Sequence, residues 1–254
     1  MPFLGNRPMG NEHYAVLGAT VAAAYTIFGL TGFGAAMVAV PILVQFVPLQ
    51  LVVPMLLLLD LVTTAMVGLR NRSSVSRTEL LRLMPFMMVG VVLGTTVLAK
   101  VESRWLLVAL GLFVLVMTVR ALVASSAPTE QAAKLWSVPA GVVGGVFSAV
   151  FGTGGPIYTM YLSRRLPQID EFRSTIAAVI LVSALARLAA FAGSGLLQQT
   201  ELLRSTAFAL PFGLVGLAIG SRLRQRISAN AVRRYLLLFL CLSGLSVLCR
   251  GLLM

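Results

Sequence analysis

The sequence has 254 residues, of which 58% are hydrophobic and 11% charged, and its formal net charge is +12. Because soluble domains carry about 25% charged residues, this composition excludes a soluble fold. The Lys and Arg residues stand between apolar runs and form no clustered basic face, which excludes a nucleic-acid partner as the reason for the charge.

Ten apolar runs follow one another along the chain, which predicts an all-α polytopic membrane protein. They cover residues 13–29, 34–47, 49–69, 83–99, 105–124, 136–151, 155–163, 174–196, 205–221 and 232–253. The polar residues before the first run contain neither the apolar core nor the cleavage site of a secretory leader, so we expect that run to be retained.

The distribution of Lys and Arg predicts the orientation in the membrane. If successive connections between runs lie on alternate sides of the membrane, one side carries fourteen Lys and Arg residues and the other carries five, with Arg187 inside a run. The side richer in Lys and Arg is normally cytoplasmic. We therefore expect the 70–82 and 222–234 loops in the cytoplasm and both termini in the periplasm of a bacterial cell, with the protein in the inner membrane.

The chain also contains an internal duplication. Four blocks recur in the same order: GFGA at 32–35 as GTGG at 152–155, TELLR at 78–82 as 200–204, PFxxVGxxxG at 85–94 as 211–220, and RWLL at 104–107 as RYLL at 234–237. Each half holds five runs, an odd number, so the halves enter the membrane from opposite sides. This predicts two inverted repeats, 1–124 and 136–254, joined by a linker at 125–135. Inverted repeats are typical of secondary transporters, which bind substrate between the repeats near the midplane.

Each half contains a run interrupted by glycine. The arm 156–163 has only eight residues, about 12 Å as a helix, whereas the hydrocarbon core is about 30 Å thick. We expect it to form a half-spanning hairpin whose tip is 152–155 and which enters from the cytoplasm. The first half repeats this pattern less sharply, with arms 13–29 and 34–47 and a tip at 29–34 that enters from outside. The two tips are expected to meet within the bilayer.

Irregular backbone at that depth is tolerated only inside protein or beside a water-filled cavity. Each tip precedes a helix, whose first N–H groups and positive dipole end favour an anion. The candidate anion-binding residues at the tips are Thr31, Gly32, Phe33, Gly34, Ala35, Gly152, Thr153, Gly154 and Gly155. The alternative is that these glycines only allow helices to pack closely.

The two glycine-rich blocks, with Pro41 and Pro156 after them, resemble those of the TauE/SafE sulfite exporter family, also called the 4-toluene sulfonate uptake permeases. Alanines stand where the family has two glycines in the first block, and Tyr161 occupies the place that matches Pro41. The resemblance covers most of the chain. It implies export or import of sulfite or a small organosulfonate, driven by an ion gradient and without covalent chemistry.

Charged residues inside apolar runs are costly and are functional candidates by default. Arg187 is the basic residue of this kind, either as a charge for the anion or as a snorkelling or structurally paired arginine. Asp60 is the acid of this kind, either as a proton-coupling carboxylate or as the partner of Arg187. The hydroxyls of Tyr25, Ser148 and Tyr158 are further candidates for hydrogen bonds to substrate oxygens.

The sequence contains no Walker A motif, metalloprotease motif, Cys/His cluster or nucleophile elbow. We therefore expect neither an enzyme nor a cofactor or metal site. The expected partners are a small anionic substrate, the lipid bilayer and a coupling proton or cation; the oligomeric state stays open. Two alternatives are a non-transporting membrane scaffold and a cation transporter that uses Asp60.

Overall fold

The computed structural model describes residues 11–31, 34–67, 75–123, 133–223 and 229–253. These residues form ten α-helices and no strand, in agreement with the predicted all-α class. The helices are α1 (Asn11–Thr31), α2 (Ala35–Leu43), α3 (Leu49–Val67), α4 (Arg77–Lys100), α5 (Ser103–Val123), α6 (Ser137–Phe151), α7 (Gly155–Leu162), α8 (Ile169–Gly193), α9 (Thr200–Leu223) and α10 (Ala229–Leu253). A 3₁₀ turn, Lys134–Trp136, precedes α6.

Six of the described helices are long and apolar enough to cross a bilayer. They are α4, α5, α6 together with its preceding 3₁₀ turn, α8, α9 and α10. Their outward faces carry large apolar side chains such as Val92, Leu112 and Leu242, each at least half exposed. Side chains of this kind are stable in contact with lipid, so the chain is a multi-pass membrane protein.

Two helices are much too short to cross. α2 has nine residues and α7 has eight, about 13 Å and 12 Å. The helical backbone is interrupted before each: Gly34, the described residue between α1 and α2, marks the first break, and residues 152–154 form the second break. Gly34 and Gly152 have φ angles of 96° and 70°. Glycine adopts this left-handed backbone without the steric cost that a Cβ imposes, so these residues let the chain turn.

The first break starts later than the sequence indicated. We expected the tip to begin at Gly29, but α1 continues through Gly29 to Thr31. A Cβ on Gly29 would lie 2.8 Å from the carbonyl oxygen of Leu217 in α9. Gly29 is therefore a packing residue that lets α1 approach α9, as small residues do between membrane helices.

The long helices pack in pairs: α4 along α6, α1 along α9, and α5 along α10. Small residues lie at these contacts, and a Cβ on Gly94 would be 2.7 Å from the carbonyl oxygen of Val146. α3 and α8 contact each other between the pairs, and α8 also contacts α4 and α7. This arrangement places the middle of α3 and α8 beside both breaks.

Candidate functional site

A cavity of about 200 Å³ lies where the two breaks approach each other. Its walls come from α1, α2, α3, α6, α7 and α8. A Cβ on Gly152 would lie 3.0 Å from the Cβ of Ala36, so the second break touches the first turn of α2. Ten of the residues singled out from the sequence line this cavity: Gly34, Ala35, Asp60, Ser148, Gly152, Thr153, Gly154, Gly155, Tyr158 and Arg187.

The other sequence candidates lie elsewhere or are not described. Tyr25 does not line the cavity but contacts a residue that does, as shown below. Thr31 is the last residue of α1. Its side chain, together with Gly32 and Phe33, lies outside the described residues, so their predicted role stays a prediction.

Arg187 lies on α8 and is 3% exposed. One guanidinium nitrogen, Nη1, donates a hydrogen bond of 3.2 Å to the carbonyl oxygen of Ser148 in the last turn of α6. That carbonyl also accepts the N–H of Gly152 at 2.9 Å. The Nε of Arg187 is buried and has no hydrogen-bond partner among the described residues. Arg187 therefore contacts the end of α6 through Nη1, whereas its Nε–H has no acceptor among the described residues.

Two buried hydroxyls share this property. The Oγ1 of Thr153 and the hydroxyl of Tyr158 make no hydrogen bond within the described part of the chain, and the two residues are 3% and 1% exposed. The hydroxyl of Ser148, by contrast, is hydrogen-bonded to the hydroxyl of Ser183 at 2.8 Å. An unpaired buried polar group costs about 1–3 kcal/mol, so these two hydroxyls and the Nε of Arg187 are candidate donors to a ligand in the cavity.

Asp60 lies on α3, on the wall of the same cavity. Its Oδ1 accepts a hydrogen bond of 2.7 Å from the hydroxyl of Tyr25, which is fully buried on α1. Among the described residues, no ion pair joins Asp60 to Arg187. Of the two interpretations left open by the sequence, direct pairing with Arg187 is therefore not the arrangement found.

The two neighbouring glycines where the second break meets α7 differ in what surrounds them. A Cβ on Gly154 would lie 2.5 Å from the carbonyl oxygen of Gly144 and 2.7 Å from the Cβ of Ser148, so close packing alone requires glycine there. A Cβ on Gly155 would meet only the Cδ1 of Ile180, at 3.9 Å. Both glycines line the cavity, and their N–H groups donate to no backbone carbonyl among the described residues.

One buried charge was missed by the sequence analysis, which took Asp60 as the acid inside an apolar run. α4 begins at Arg77, six residues before the predicted start, and includes Glu79, which is 4% exposed. The carboxylate of Glu79 is bonded by Arg165, Arg82 and Tyr161. The recurrence of TELLR at 200–204 was the available signal that this segment belongs to a helix.

The chain matches the model of one protein family, described as Sulfite exporter TauE/SafE, over residues 16–247. The chain belongs to the TauE/SafE family. It is also 30% identical, over 197 residues, to a protein of Comamonas testosteroni described as "Probable inner membrane transporter protein TsaS". That match covers 76% of this chain and 81% of the relative. No solved structure matches the chain.

Membership in the TauE/SafE family confirms the resemblance drawn from the glycine-rich blocks. It makes the protein a membrane transporter and not an enzyme. The matched residues include both breaks, Asp60 and Arg187, so the cavity lies entirely within the part of the chain that the TauE/SafE model describes.

Proposed function

We propose that this protein exports sulfite or a small organosulfonate, bound as an anion in the cavity between the two breaks. The observation that carries this proposal is the set of buried polar groups that line the cavity and have no hydrogen-bond partner among the described residues: Thr153 Oγ1, Tyr158 OH and Arg187 Nε. Each can donate a hydrogen bond, and an oxyanion offers several acceptor oxygens at once.

The backbone supplies further donors. The first N–H groups of a helix have no partner within the helix, and its N-terminal end carries a partial positive charge. α7 begins at the cavity with Gly155, and α2 begins there with Ala35. Together with Arg187, these helix ends favour an anion over a cation. The apolar side chains of Phe28, Met37 and Ile180, which also line the cavity, suit the carbon part of a sulfonate.

The packing of the helices supports inverted repeats. If α1–α5 corresponds to α6–α10 in order, α4 corresponds to α9 and α6 corresponds to α1. The α4–α6 contact is then equivalent to the α1–α9 contact, and the α5–α10 contact is equivalent to itself. The two glycine-tipped hairpins then come one from each repeat, with the substrate between them. Such an arrangement allows alternating access by movement of one repeat against the other.

Asp60 is the proposed coupling residue. It is the acid among the residues that line the cavity, and the hydroxyl of Tyr25 holds its carboxyl group in place. A carboxyl group in this position can take up and release a proton as the cavity changes its access, which couples anion movement to the proton gradient. The relative described as an inner-membrane transporter supports placing this protein in the inner membrane, with both termini periplasmic from the Lys and Arg count.

The test is a thermal-shift screen of the purified protein against sulfite, sulfate, thiosulfate and 4-toluenesulfonate, with choline and Na⁺ salts as cation controls. A ligand that binds the folded state increases the free energy of unfolding, by about 2.7 kcal/mol at a hundred times its Kd, and so raises the melting temperature. We expect sulfite or a sulfonate to stabilise the protein. Stabilisation by cations alone would contradict the proposal and favour a cation transporter that uses Asp60.

A further inference from the structure

Glu79, Arg82, Tyr161 and Arg165 form an ion cluster outside the cavity, in which Glu79 and Tyr161 are buried and the two arginines are partly exposed. The Oε1 of Glu79 accepts hydrogen bonds from Arg165 Nη2 at 2.8 Å and Arg165 Nε at 3.1 Å, and from Arg82 Nη1 at 2.6 Å. The Oε2 accepts the hydroxyl of Tyr161 at 2.6 Å. A buried carboxylate is stable when it is paired and hydrogen-bonded in this way.

The ion cluster joins the first turn of α4 to the end of α7. Tyr161 lies in the last turn of α7, and Arg165 lies in the turn that follows it. The two bonds from Arg165 converge from Nε and Nη2 of one planar guanidinium onto the same oxygen, Oε1, so the guanidinium is tied to that oxygen at two points. The pKa of Arg165 is raised above its ordinary value, chiefly by the hydrogen bond to Glu79.

α7 connects this cluster to the cavity. With eight residues it is about 12 Å long, and its first residue, Gly155, lines the cavity. Tyr158 and Tyr161 are three residues apart, so they lie on the same side of the helix. Tyr158 lines the cavity, whereas Tyr161 donates to Glu79. A shift of the cluster end of so short a helix is therefore transmitted to the cavity end.

The cavity end of α7 follows the second break, where Gly152 has a positive φ and the backbone of Gly154 packs against Gly144 and Ser148. The ion cluster holds the opposite end of the same eight-residue helix. We propose that Glu79 is a positioning residue of the anion site: through Tyr161 and Arg165 it fixes α7 so that Gly155 N–H and the hydroxyl of Tyr158 face the bound anion. This role rests on the anion site proposed above.

The chain contains a matched control for Glu79. The same five residues, TELLR, recur at 200–204, and Glu201 stands where Glu79 stands in the first copy. Its side chain is 36% exposed, and its ion-pair partner among the described residues is Arg204, on the same helix, at 3.6 Å. Glu201→Gln therefore makes the same chemical change in the same local sequence without touching either short helix.

The experiment compares the purified wild-type protein with Glu79→Gln, Tyr161→Phe and Glu201→Gln. Affinities for sulfite and 4-toluenesulfonate are measured by titration, alongside melting temperatures without ligand. We expect the Kd of the bound anion to rise about tenfold or more in Glu79→Gln and about threefold in Tyr161→Phe, and to stay at the wild-type value in Glu201→Gln. Tyr161→Phe keeps the buried ring and removes only the hydroxyl, so it decides the question if Glu79→Gln does not fold.

The outcomes separate the two proposals. Wild-type affinity in Glu79→Gln or Tyr161→Phe, with a lowered melting temperature, would show that the cluster only stabilises the fold and would overturn the positioning role alone. An equal loss in Glu201→Gln would overturn it as well. Failure of the wild-type protein to bind either anion would overturn the anion site and this role together.

Discussion

Tyr25 and Asp60 are joined by a hydrogen bond of 2.7 Å from the hydroxyl to Oδ1, although they lie 35 residues apart on α1 and α3. Arg187 lines the same cavity but bonds to the carbonyl of Ser148 instead of to Asp60. The two intramembrane charges therefore have separate protein partners. In the proposed mechanism, this separation lets Arg187 bind the anion while Asp60 takes up the proton.

Asp60→Asn is predicted to uncouple transport without removing the anion site. Asparagine keeps the size and still accepts the bond from Tyr25, but it cannot release a proton. In proteoliposomes we expect anion transport driven by a pH gradient to fall more than about tenfold, while anion exchange without a gradient continues. Gradient-driven transport at the wild-type rate would exclude Asp60 as the coupling residue. Tyr25→Phe, which removes only the donor, should give a smaller loss of the same kind.

Arg187→Ala is predicted to weaken anion binding strongly while the protein still inserts. A hydrogen bond to a charged group contributes about 1.5–3 kcal/mol, so affinity should fall roughly 10- to 100-fold. Lysine should restore only part of this, because it lacks the planar fork that meets two oxygens at once. Arg204→Ala, a change at an exposed arginine of α9, is the control. Wild-type affinity in Arg187→Ala would show that Arg187 does not bind the anion, and the helix ends would then be the remaining source of positive charge in the site.

Gly155→Val is predicted to block the anion site sterically. Its Cβ has free space toward the cavity, so the added side chain should displace the ligand without disturbing packing. Binding should become undetectable while the melting temperature without ligand changes little. Gly193→Val is the control, because a Cβ there meets no atom within 4 Å and lies at the exposed end of α8, outside the cavity.

Gly34→Val and Gly154→Val test the same site less cleanly. Valine at Gly34 is strained by the φ of 96°, and valine at Gly154 collides with the backbone of Gly144. Both should therefore lower stability as well as affinity. If Gly155→Val bound the anion normally, the proposal of an amide site at the start of α7 would have to be abandoned.

Gly94→Val is predicted to act on stability alone. The new side chain would meet the backbone of Val146 at 2.7 Å and the Cβ of Ala149 at 2.9 Å, which forces α4 away from α6. Overpacking of this kind costs about 1–3 kcal/mol or more. The melting temperature and the yield of folded protein should fall, and the folded fraction should bind the anion with wild-type affinity. A change in affinity would mean that the α4–α6 contact also shapes the cavity.

The predicted orientation is tested by cysteine labelling in intact cells. Ser73 and Ser228, which lie outside the described residues, belong to the two loops that carry many arginines. Ser73→Cys and Ser228→Cys should react with a membrane-impermeant maleimide only after the cells are opened, because these loops are expected in the cytoplasm. The native Cys241 and Cys249, both exposed on α10, must first be replaced by serine. Labelling of either position from outside would reverse the orientation.

The all-α class and the second break were readable from the sequence, whereas α1 was expected to end at Gly29 and continues to Thr31. The length of an apolar run and the presence of glycine are local properties, so α7 was predicted at 155–163 and is found at Gly155–Leu162. The glycine-rich blocks likewise carried the resemblance to the TauE/SafE family, which the match over residues 16–247 confirmed. The start of α4 was missed, because Glu79 and Arg82 made its first turn look like a polar loop.

The tertiary structure decided which of these residues act together. The bond from Tyr25 to Asp60 and the burial of Glu79 against Arg165 depend on contacts between helices that are distant in the chain. The same holds for the difference between Gly154, which is enclosed by Gly144 and Ser148, and Gly155, which faces the cavity. The two glycines are neighbours of identical chemistry, so only the arrangement of the surrounding helices distinguishes a packing glycine from one open to a ligand.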